Sequence, residues 1–87
     1  MLKIVTYSQE RGRTLRLEGD VIGPWVDELR RSSEEVLASG DGLAVDLSDV
    51  SFVGREGLVL LQALAARGAA LVNVSSFVAE QLRAQPR

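Results

Sequence analysis

The stretch that most restricts what this chain can fold into is residues 43–68, LAVDLSDVSFVGREGLVLLQALAARG. Leu43, Val45 and Leu47 fall on one face of a period-two pattern, which predicts a short strand with that face on a core. After Gly54 the pattern changes. Leu58, Leu61, Leu64 and Ala65 form the strongest stripe of a segment that is apolar nearly all round, which predicts a largely buried helix stopped by Gly68. A strand feeding a buried helix is the first part of a crossover to a parallel neighbour, so the rest of the chain has to supply further strands and helices.

The flanking residues do so. Leu2, Ile4 and Thr6 alternate with Lys3, Val5 and Tyr7, and Leu15 and Leu17 alternate with Thr14, Arg16 and Glu18. The polar link SQERGR joins these two runs as an N-terminal hairpin. In GPWVDELRRSSEEVLAS, Pro24 suits a first helical turn, where its missing N–H has no partner to lose. Trp25, Val26, Leu29, Val36 and Leu37 make the apolar stripe, Arg30, Arg31, Glu34 and Glu35 face away, and Ser32 and Ser33 go with the polar side; Gly40 and Gly42 end the helix. AALVNVS at 69–75 reads as another strand, and Ser75 or Ser76 caps a last helix, FVAEQLRAQ, before Pro86. The order is ββαβαβα: an α/β domain with a mixed, mostly parallel sheet packed by helices and an antiparallel edge from the hairpin. Ala44 is small enough to allow the second face of its strand to be covered as well.

Composition narrows the chemistry. A chain of 87 residues holds one domain, 1–87. Its 46% hydrophobic and 25% charged residues belong to a folded, globular chain. A formal net charge of −2 gives no field to attract a phosphate backbone or an anionic bilayer, so neither nucleic acid nor membrane is an expected partner. With no cysteine and no histidine there are no disulfides, thiolate nucleophiles, imidazole bases or usual zinc ligands. No cofactor is expected. The opening MLKIVTYSQERG has too short an apolar run for a signal peptide or a span, and a cytoplasmic location is the expectation.

Asp46 and Asp49 bracket the predicted strand end, where a metal or a general base could sit, but no third ligand accompanies them and Ser48-Asp49 suits a turn. GREG at 54–57 leads into a helix, yet it lacks the P-loop lysine and the dinucleotide fingerprint, and Glu56 puts a negative charge where an anion would go. As helix-start chemistry a first-turn carboxylate contributes about 0.3–1 kcal/mol. Arg55 beside it is either solvated or part of an interface, where its planar donor head is favoured. No pair of base and nucleophile is present, so an enzyme is not expected.

VDLSDVSFVGREGLVLL, residues 45–61, resembles the central motif of the STAS domain, named for sulfate transporters and anti-sigma-factor antagonists. In that motif a strand ending Asp-Leu-Ser precedes Val-x-Phe, then Asp-Ser-Ser/Thr-Gly and a Leu-rich helix. The resemblance implies a non-catalytic protein-interaction module. In the bacterial antagonists, the second hydroxyl residue is phosphorylated by a kinase that is also the anti-sigma factor, and the unphosphorylated form binds that partner. Here Gly54 stands for the motif's Asp, Arg55 for its first Ser, Glu56 for the phosphoacceptor and Gly57 for its Gly.

Partner binding is therefore expected at Gly54, Arg55, Glu56 and Gly57, to an anti-sigma factor or kinase-like regulator. Arg55 and Glu56 would supply charge complementarity, while Phe52 and Leu58 hold the loop on the core. Serine phosphorylation is not expected, because Glu56 has no hydroxyl. A carboxylate carries one charge where phosphoserine carries about −1.5 to −2, and so imitates it in part. The resemblance also implies that a usual final strand and helix are missing, leaving an edge or face for a homodimer to cover. The alternative function is a small-molecule or nucleotide sensor using the same junction.

Overall fold

The structure is a computed structural model and describes residues 1–84. The elements follow the expected order: β1 (Leu2–Gln9), β2 (Gly12–Val21), α1 (Pro24–Ala38), β3 (Gly42–Val53), α2 (Arg55–Ala66), β4 (Ala70–Val72) and α3 (Ser76–Ala84). The end of the last helix expected at Gln85, with Pro86 after it, lies outside the described residues. One sheet is formed in the order β1-β2-β3-β4, antiparallel between β1 and β2 and parallel across the other two pairs.

Topology decides where the helices go. The crossovers from β2 to β3 and from β3 to β4 step in the same direction, so two right-handed connections place α1 and α2 on one face. The helices pack on each other there, and an ion pair of 2.6 Å between Arg67 and Glu34 ties their C-terminal ends. Leu15, Leu17, Leu43, Val45 and Leu47 from the sheet meet Val26, Leu29, Leu61, Leu64 and Val78 from the helices in one core. The opposite sheet face carries Lys3, Val5, Tyr7, Thr14, Arg16, Glu18, Ala44 and Asp46. Ala44 is only half-buried, so the expected covering of its face is not found among the described residues.

Local expectations are corrected at four places. Ser48-Asp49 is not a turn: β3 continues through it to Val53. The ladder with β2 jumps from Arg16↔Asp46 to Glu18↔Asp49, which marks a bulge that accommodates one extra residue in β3. The Asp46 side chain accepts the Ser48 N–H at 2.9 Å, so the polar pattern that suggested a turn satisfies the bulge instead. The last strand is shorter than AALVNVS, because Asn73 at φ 55 leaves the extended region and its Nδ2 donates to Asp46 at 3.2 Å. Ser33 is fully buried rather than on a polar face; its hydroxyl donates to the Leu29 carbonyl at 2.7 Å, which satisfies it inside the core. Ala65, assigned to the buried stripe of α2, is exposed, and Leu60 is buried in its stead.

Candidate functional site

The junction between β3 and α2 is set by backbone contacts that only small residues permit. Gly54 N–H donates to the Val21 carbonyl at 2.9 Å, and the Gly54 carbonyl accepts from Leu58 N–H at 2.9 Å as the first bond of α2. At Gly57 a Cβ would lie 2.8 Å from the Val21 carbonyl oxygen and 2.9 Å from methyl carbons of Val21 and Val53. The helix start is thus pressed against the ends of β2 and β3, and a side chain at 57 has no room. From α3, Gln81 Nε2 donates to the Val53 carbonyl at 3.1 Å and fixes the last residue of β3.

Of the four sequence-predicted residues, the two glycines are structural and the two charged residues point outward. Gly57 is buried, whereas Arg55 and Glu56 are exposed and, among the described residues, neither has a side-chain hydrogen bond or ion pair. Around them lie apolar and charged groups that sequence reasoning did not assign. Ile22 is 38% exposed and Val59 48% exposed, and Arg30 reaches the same area from α1, where it is paired with Asp27. One depression of about 260 Å³ is lined by Ile22, Gly23, Val26 and residues 54–57. A second, of about 400 Å³, is lined by Arg30, Arg55, Glu56 and Val59. They share Arg55 and Glu56. The first is smaller than ordinary small-molecule pockets, which hold about 300–1,000 Å³, and the second has three charged side chains out of four where such pockets are mainly apolar. The geometry is that of a rigid surface bearing a mixed-charge centre with apolar neighbours.

Phe52 does not hold the loop. It is 44% exposed, and Leu58, Val21 and Val53 provide the contact with the core. Strand alternation explains this: Val53 faces inward, which turns Phe52 outward. Asp46 and Asp49 are likewise occupied within the fold. Asp49 pairs with Arg16, and the hydrogen bonds that the guanidinium donates to Asp49 and to the Tyr7 hydroxyl oxygen raise its pKa above the ordinary value. Asp46 is held below the usual carboxylate range, first by the Ser48 backbone N–H and then by Asn73 and Arg16. Their oxygens serve the bulge and the open sheet face.

No protein-family model matches the sequence, and no curated protein matches it. The fold does have solved counterparts, and they define a class: the molecule is a STAS-like α/β domain. One is an anti-sigma factor antagonist from Mycobacterium paratuberculosis, with a TM-score of 0.73 and 21% identity, covering 82% of this chain and 66% of that one. Another is the anti-sigma factor antagonist SpoIIAA in its unphosphorylated form, with a TM-score of 0.74 and 18% identity, covering 97% of this chain and 84% of that one. The chain thus spans slightly less than two thirds of the first counterpart. At these identities the likeness establishes the fold.

Proposed function

We propose that this domain is a non-catalytic interaction module that docks a regulatory protein through the start of α2, in the manner of an anti-sigma-factor antagonist acting on transcription in the cytoplasm. The observation that carries the reading is the exposed Arg55-Glu56 pair, unpartnered among the described residues, held on a helix start that Gly54 and Gly57 make rigid and flanked by exposed Ile22 and Val59. A preorganised backbone spares the loop-ordering cost of binding, so that only the two side chains have to be immobilised. An arginine with neighbouring apolar groups is a common composition for the energetic centre of an interface.

The partner class is an anti-sigma factor or a kinase-like regulator; the two solved counterparts named above are anti-sigma factor antagonists. Arg55 supplies the attraction. Glu56, in the position of the motif's phosphoacceptor, moderates it with a fixed charge that no kinase or phosphatase changes. Affinity is then permanently set, in contrast to a domain whose serine is switched.

Calorimetric titration with a kinase-type anti-sigma factor from the same genome tests this. Arg55→Ala is expected to weaken binding at least tenfold, about 1.4 kcal/mol. Glu56→Ser is expected to tighten binding, and also to create a site that the kinase can phosphorylate. Unchanged affinity in both variants would remove residues 54–57 from the interface.

A further inference from the structure

The sheet edge farthest from α2 has its own unfilled capacity. β2 pairs along the whole of β1, and among the described residues nothing pairs with the other side of β1. The ladder runs from Leu2↔Gly19 to Gln9↔Gly12 without a register shift, so β1 has no bulge; it also has no proline, and Lys3 is its single charged residue. Exposed edges are ordinarily protected by bulges, prolines, several charges or brevity. The opposite edge, β4, has brevity: it is three residues long and ends before Asn73. The eight residues of β1 lack these protections except for Lys3.

We propose that β1 pairs antiparallel with β1 of a second copy, about a two-fold axis at Val5, joining the two sheets into one. The strand is self-complementary in that register. A two-fold normal to the sheet brings open-face residues onto open-face residues, so the axis must fall at a residue and not between two. Centred on Val5, it sets Lys3 beside Tyr7 of the other copy, Ile4 beside Thr6, Leu2 beside Ser8 and Val5 beside its own equivalent. Each Lys3 then lies between Glu18 of its own copy, its partner across β2, and the aromatic ring of Tyr7 opposite, both favourable neighbours for an ammonium. Tyr7, 47% exposed in the single chain, gains cover. Centring on Lys3 would instead oppose two like charges, and centring on Tyr7 would leave Leu2, Lys3 and Ile4 without partners in β1. The docking surface at 54–57 lies beyond β2 and β3, so the pairing stands independently of it and leaves it open in both copies.

The absence of cysteine makes a clean test possible. Val5→Cys places one thiol at the axis, where opposed Cα atoms are about 4.5–5.5 Å apart, within disulfide range. Lys3→Cys places equivalent thiols four residues apart along the strands, about 13 Å, beyond that range. The wild type is expected to sediment at twice the monomer mass at micromolar concentration, and Val5→Cys to oxidise to a covalent dimer at least tenfold faster than Lys3→Cys. Val5→Lys is expected to sediment as a monomer, folded by circular dichroism, and equimolar Val5→Glu to restore dimers with it. A wild type that stays monomeric leaves the edge to another protein's strand or to solvent and overturns the pairing. So does cross-linking of Lys3→Cys as fast as Val5→Cys, or a Val5→Lys variant that still dimerises.

Discussion

The two crossover helices begin differently, although each follows a glycine and neither has a side-chain N-cap. At α1 the preceding Gly23 adopts φ 57 and ψ −137, and a Cβ there would meet nothing within 4 Å. This helix start is set by backbone torsion and by Pro24. At α2 the preceding Gly54 is extended, with φ −76 and ψ 172, so its conformation asks nothing special of the residue type. Here the start is set by contact: Gly54 against Val21 and Ile22, Gly57 against Val21 and Val53, and Gln81 on the Val53 carbonyl. A turn held by torsion only redirects the chain, whereas one held from three elements also fixes the direction of whatever it displays. Arg55 and Glu56 are displayed at the second.

If that difference is correct, substitutions should separate the two helix starts. Gly57→Ala should do the most damage, about 2–3 kcal/mol, because its Cβ meets a backbone carbonyl that cannot move without disturbing β2. Thermal unfolding should fall by roughly 10 °C or more, and a fall of only a degree or two would mean that α2 is not pressed on the sheet. Gln81→Ala should follow, at about 1 kcal/mol, by removing the bond to Val53. Its more specific effect is faster hydrogen exchange at Gly54 and Leu58 with no change at Val26, whose amide belongs to the first turn of α1.

The smallest effects complete the contrast. Gly23→Ala should cost about 1 kcal/mol through strain alone, since space is available but the torsion is unfavourable. Gly54→Ala should change stability by less than about 0.5 kcal/mol. Its new Cβ meets the Cγ2 methyl of partly exposed Ile22 at 3.1 Å, a contact that a shift of a few tenths of an ångström relieves, and the loss of unfolded-state freedom offsets it. Equal costs at 23 and 54 in chemical denaturation would erase the distinction.

Much of this architecture was legible in the sequence because period and punctuation agree: alternation marks the strands, the stripes of Val26 and Leu29 and of Leu58 and Leu61 mark the helices, and Gly40 and Gly68 mark their ends. At Gly68 the structure shows why, since its amide and that of Ala69 return to Ala65 and Leu64 with φ 98 at the glycine. Other features depend on long-range contacts that carry no local signature. Ser33 is satisfied by its own helix, so nothing nearby in sequence distinguishes it from the exposed serines of a polar face. Asp49 serves Arg16, 33 residues away in sequence, and β3 runs on through a bulge where local turn preference would have ended it.

The candidate site shows the same limit. Its position followed from the motif at 54–57, but not the division of labour within it, because Gly54 and Gly57 differ only in what surrounds an absent Cβ. Ile22 and Val59 carried a faint signal, as apolar residues off the main stripes. Arg30 comes in through the packing of α1 on α2, which spacing along one helix does not reveal.

The roles given to the two displayed charges, with Arg55 docking a regulatory partner and Glu56 fixing the strength of that contact, are decided by one titration. A kinase-type anti-sigma factor is titrated calorimetrically with the wild type, Arg55→Ala and Glu56→Ser. The expected order of affinity is Glu56→Ser above wild type, and wild type at least tenfold above Arg55→Ala. Three indistinguishable isotherms from folded proteins would refute both roles.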